Sequence, residues 1–118
     1  MNESINENEL KIVVSGLLCL SGIMPNNKGF VYLKEAILIA YNDPDSSGTI
    51  TKLIYPEIAE VHGGKPGNVE RCISAAIEKA WENSKENEFY KKVGFQWLKR
   101  KPTNSEYIFM AVEYLRNL

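Results

Sequence analysis

The chain has 118 residues, of which 44% are hydrophobic and 25% charged, the composition of a globular protein with enough apolar mass for one core. Fourteen basic against fifteen acidic residues leave a net charge of −1, so any grip on nucleic acid must come from a local patch and not from the overall charge. No apolar run approaches the roughly 20 residues of a bilayer-crossing helix, and the acidic start (Glu3, Glu7, Glu9) is unlike a secretory signal; the expectation is one cytoplasmic domain over residues 1–118, with no membrane contact.

Ser4-Ile-Asn-Glu7 fits a capping box, and Leu10, Val13, Val14, Leu17 and Leu18 behind it share one helical face. Gly22 is the expected terminator, followed by a Met24–Asn27 loop. A second helix is predicted over Gly29–Tyr41, with Phe30, Leu33, Ile37, Ala40 and Tyr41 as its apolar stripe. The turn-rich run Asn42–Gly48 ends it. Ile50, Leu53, Ile54, Ile58 and Val61 continue a helical period through Pro56, which either kinks one helix or begins a new one.

After a Gly63-Gly64 break, Pro66 suits the first position of a helix, where its missing N–H is no loss. Val69, Ile73, Ala76, Ile77 and Ala80 form that helix's buried stripe, while Arg71, Ser74, Ala75 and Glu78 occupy the opposite side with Asn68 and Glu70 beside them. Helix, glycine turn and a second helix with a small polar front is the layout of a helix-turn-helix DNA reader. The same layout suits a plain helical hairpin in a core. A short helix over Ser84–Val93, with Phe89, Tyr90 and Val93, follows, then a loop over Gly94–Lys101 carrying Phe95, Trp97 and Leu98 among basic residues. Thr103-Asn-Ser-Glu106 makes another capping box, opening a last amphipathic helix with Ile108, Val112 and Leu115. The fold class is all-α, five or six helices with a helix-turn-helix inside.

Catalytic chemistry is not in view. Glu57 and Glu60 lie three apart on a polar face, His62 has no partner at ligand spacing, and no nucleophile set or phosphate-cradling loop occurs, so we expect no enzyme, no metal and no cofactor. Cys19 and Cys72 are expected to be small, reduced, buried residues. Trp81 and Trp97 are expected to anchor the core rather than stack on bases.

Several segments resemble one family. They are Gly29-Phe-Val-Tyr-Leu-Lys-Glu-Ala-Ile, Tyr41-Asn-Asp, Ile50-Thr-Lys-Leu-Ile-Tyr-Pro-Glu-Ile-Ala, Val69-Glu-Arg-Cys-Ile and Lys101-Pro-Thr-Asn-Ser-Glu-Tyr-Ile. In order and spacing they are similar to the C-terminal effector domain of the sporulation stage zero protein A family, over about Leu20 to Leu118. The resemblance implies a six-helix domain that reads a short box in double-stranded DNA, often as a homodimer on tandem boxes, and that regulates transcription together with the transcription machinery. By position it implies that Glu70 and Arg71 contact bases. The chemistry agrees, since arginine suits guanine and a carboxylate accepts from cytosine N4. Lys65, Asn68 and Ser74, with Lys99, Arg100 and Lys101 in the loop, are the expected backbone-positioning residues.

The departures have consequences of their own. The family's regulators carry an N-terminal phosphoacceptor receiver, whereas here Met1–Glu9 leads straight into the first helix, so control through an attached receiver is not expected. Asn68 and Ser74 stand where basic residues are expected, and Lys65–Glu82 holds three basic and three acidic residues. A neutral reading helix predicts weaker phosphate grip and a shallower salt dependence. The alternative function is a protein-interaction module of the same fold that has lost DNA binding and modulates a full-length regulator.

Overall fold

The computed structural model describes residues 5–45, 50–83, 88–95 and 98–118. Ser4, Ser46–Gly48, Ser84–Asn87 and Trp97, which carry parts of the expectations above, lie outside the described residues. Among the described residues the chain forms six α-helices and no strand: α1 Glu7–Leu20, α2 Lys28–Asn42, α3 Tyr55–His62, α4 Pro66–Asn83, α5 Glu88–Val93 and α6 Asn104–Arg116.

The first helix starts two residues later than a cap at Ser4 would set it. Asn6 takes the cap: its Oδ1 accepts from the Glu9 N–H at 2.8 Å, and its side-chain amide bonds the Glu9 carboxylate in return. Asn6–Glu9 repeats the Ser4–Glu7 spacing, and asparagine caps as well as serine does. Asn27 caps α2 in a similar way, accepting from the Gly29 N–H at 2.6 Å. The α6 capping box forms as predicted, with Thr103 Oγ1 accepting from the Glu106 N–H at 3.1 Å and Glu106 accepting from the Thr103 N–H at 2.9 Å.

α3 begins at Tyr55, one residue before Pro56, and the backbone at Ile54 before it is already helical. A five-residue π-type turn, Ile50–Ile54, runs directly into α3, with Pro56 in the first turn. The wide turn suits a proline that cannot donate to the preceding carbonyls. It also shifts the helical register. Ile54, Tyr55, Ile58 and Ala59 point inward, so Leu53 and Val61, expected on the buried stripe, are 56% and 71% exposed.

The predicted stripe of α4 is buried throughout, as are Leu33, Ala36 and Ile37 of α2, against which it packs. The two helices approach closely at Gly29. A Cβ there would sit 2.5 Å from Ala76 Cβ and 2.7 Å from the Cys72 carbonyl oxygen, so only glycine fits. Phe89 of α5 stacks on Tyr107 of α6, centroids 4.3 Å apart. The Tyr107 hydroxyl bonds the buried Ser21 hydroxyl, and burial raises its pKa. At the far end of α6, the Arg116 guanidinium donates to the Ala40 and Tyr41 carbonyls at 3.3 and 3.4 Å, closing the C-terminus of α2. Cys19, expected inside, is exposed and Cys72 is half-buried; Cys19 falls on the outer side of α1, opposite the Leu10–Val14–Leu17–Leu18 face.

Candidate nucleic-acid interface

The hinge between α3 and α4 is built from the Gly63-Gly64-Lys65 run. Gly63 has φ +74°, the left-handed conformation that glycine adopts without strain. The Ala59 carbonyl accepts from both the Gly63 and Gly64 N–H groups, which closes the end of α3. The chain then reverses into α4. The Lys65 carbonyl accepts from Asn68 and Val69 N–H at 3.0 and 3.2 Å, the first bonds of the α4 ladder. Its first turn carries no carboxylate, which leaves the positive end of the helix dipole uncompensated.

Glu70 and Arg71 are both exposed near the front of α4, and Lys65 is exposed just before it. Asn68 and Ser74 are half-buried beside them. Arg71 has no ion-pair partner among the described residues. Glu70, Arg71, Ser74 and Lys101 line one open cleft between α4 and the start of α6, together with Tyr55 and Asn104.

The basic loop is less free than its sequence suggests. Arg100 grips Glu106 with two parallel bonds of 2.8 and 2.9 Å. That guanidinium, helped by the Thr103 N–H, lowers the Glu106 carboxyl to about 2. Lys101 lies 3.7 Å from Glu78 of α4. Lys99 is exposed. The structure thus gathers Glu70, Arg71, Ser74 and Lys101 at one cleft, and places Lys65 and Asn68 at the tip of α4. Arg100 is turned onto Glu106 in the first turn of α6.

Two residues of this cleft were not singled out from the sequence. The Asn104 side-chain amide donates to the Tyr55 hydroxyl at 3.1 Å and to the Glu70 carbonyl at 3.2 Å, joining α6, α3 and α4. Burial raises the Tyr55 pKa, the Asn104 bond opposes this, and the Glu70 charge adds to it. Asn104 lies inside the Thr103–Glu106 capping box, but nothing local to that box signals a partner 34 residues earlier.

His62 is engaged structurally. Its Nε2 lies 2.8 Å from Glu35 Oε1, and its ring meets Tyr32 edge-on at 5.3 Å, fixing the end of α3 on α2. No cluster of three or more metal-ligating side chains occurs among the described residues, and no helix among them is long and apolar enough to cross a membrane. A family model described as the C terminal of sporulation initiation factor Spo0A matches residues 14–115.

Proposed function

Because the chain belongs to the Spo0A C-terminal family, whose members are DNA-binding regulatory domains and not enzymes, we propose that it is a sequence-specific regulator of transcription. Arg71 and Glu70 read bases in the major groove. Lys65, Asn68 and Ser74, with Lys99 and Lys101, position the backbone, and Arg100 contributes field from beside Glu106. The observation that carries this reading is the exposed Arg71, without an ion-pair partner among the described residues, next to Glu70 at the front of a helix that follows a three-residue turn from α3. A free N-terminal turn without carboxylates adds a seat for a phosphate. Binding as a homodimer on tandem boxes and contact with the transcription machinery belong to the same proposal, as does the description of residues 1–118 as one effector-like domain.

Fluorescence anisotropy tests it, comparing a family-type box with scrambled DNA at fixed low salt. The expected result is preference for the box, of which Arg71→Ala removes roughly tenfold or more, since a bidentate base contact contributes about 1–3 kcal/mol. Equal binding to both DNAs refutes sequence reading. Unchanged preference in Arg71→Ala refutes the residue assignment.

A second reading has one observation in its favour. Arg100 and Lys101 are partnered by Glu106 and Glu78, and α4 itself carries two basic residues (Arg71, Lys79) against three acidic ones (Glu70, Glu78, Glu82), which weakens phosphate grip. An interaction module that modulates a full-length regulator fits such a surface. Co-purification with a full-length family regulator, together with no DNA binding, is the result that selects it.

A further inference from the structure

The reading helix needs an orientation as well as side chains. A base contact is directional, and displacement of Arg71 by a fraction of a bond length weakens a bidentate pair. The buried stripe of α4 fixes its inner side against α2, but Glu70 and Arg71 lie on the first two turns, close to the helix end. Beyond that packing, a side chain from a distant part of the sequence bonds those turns directly.

Asn104 is the first residue of α6 and half-buried. Its amide nitrogen reaches the Glu70 carbonyl at 3.2 Å and the Tyr55 hydroxyl at 3.1 Å. The Glu70 carbonyl is a main-chain atom of the reading pair itself, and it has a second lone pair to offer outside the helix ladder. Tyr55 is 2% exposed, so the hydroxyl is an anchored point at the start of α3. Asn104 is itself held in place. The Thr103–Glu106 capping box fixes the first turn of α6, and Arg100 braces Glu106 with its two bonds. A chain of directed bonds therefore runs from Arg100 through Glu106 and the α6 start to the backbone beneath Glu70.

We propose that Asn104 is a positioning residue for base reading: its side-chain amide holds the Glu70–Arg71 end of α4 against the starts of α3 and α6, so that the pair meets the groove in one orientation. This rests on the DNA-reading function proposed above. Asn104 acts through Arg71. Its loss removes discrimination between sequences while leaving the phosphate contacts, which carry sequence-independent affinity, in place.

The experiment measures anisotropy on box and scrambled DNA, over a salt series, for the wild-type chain, Asn104→Ala, Arg71→Ala and the double variant. Asn104→Leu, which keeps the volume, serves if the alanine variant does not fold, with urea midpoints reported for each. The expected result is a roughly tenfold loss of box preference in Asn104→Ala, the scale of one misdirected base contact, with scrambled-DNA affinity and salt slope unchanged. The double variant should lose little beyond Arg71→Ala alone, because both changes remove the same contact. Equal loss on box and scrambled DNA overturns the proposal, as does full additivity with Arg71→Ala or full retention of preference. A wild-type chain with no box preference refutes the DNA-reading function itself and takes this inference with it, an outcome distinct from failure of the clamp alone.

Discussion

Gly29→Ala is the change most directly readable from the packing of α4. The new Cβ would lie 2.5 Å from Ala76 Cβ and 2.7 Å from the Cys72 carbonyl oxygen, both on α4. Carbon atoms in contact settle at about 3.5–4.0 Å, so α2 and α4 must separate by roughly 1 Å or distort. One of the two clashing atoms is backbone, and the other is a Cβ fixed to it, so neither can rotate away. Overpacking of this kind costs about 1–3 kcal/mol. The gain from replacing a helical glycine is at most about 1 kcal/mol and smaller this close to the helix start. The net expectation is a destabilisation of about 1–2 kcal/mol, which lowers a urea midpoint by roughly 0.5–1 M. Gly16→Ala is the matched control: it lies mid-helix in α1 with nothing within 4 Å of its would-be Cβ, and should stabilise by about 0.5–1 kcal/mol. A Gly29→Ala midpoint equal to or above wild type refutes the claim that this close approach sets the seat of α4.

Three further outcomes follow from the packing and bonding described above. Tyr90→Phe should leave stability unchanged or raise it by about 1 kcal/mol, because the buried Tyr90 hydroxyl has no hydrogen-bond partner among the described residues; thermal denaturation decides, and a clear loss of stability refutes it. Gly63→Ala should cost about 1–2 kcal/mol by forcing a Cβ into left-handed backbone at the α3–α4 hinge, read as a lower urea midpoint with the helical circular-dichroism signal retained. Glu106 has a folded pKa of about 2 against an ordinary value of 4.5, so its contribution is present above about 4.5 and fades as pH falls towards about 2. Glu106→Gln keeps a capping acceptor without the charge and should flatten part of the acid-side loss of stability; the effect is small because water screens the pair, and identical acid profiles for both chains refute it.

Periodicity made the helices legible wherever one face is buried. The α4 stripe and the α6 capping box follow from spacing alone, because both depend on residues within a few positions of each other. Register failed where an equivalent local signal competed, as at Asn6 against Ser4, and where the chain left the 3.6-residue period, as at the turn before Pro56 that leaves Leu53 and Val61 outside. Arg71 and Glu70 stood out through groove chemistry and resemblance. Asn104, Tyr55 and the pairing of Lys101 with Glu78 did not, since each joins segments whose proximity only the packed chain creates.

Three ties close a figure among the longer helices. The start of α2 is wedged on α4 at Gly29, the front of α4 is tied to the start of α6 through Asn104, and the end of α6 is pinned to the end of α2 by Arg116. Three struts pinned at three joints make a truss, which cannot shear unless a joint gives way. Loosening the corner at Arg116, the one farthest along the chain, should therefore be felt as a wobble at the corner beside Glu70 and Arg71.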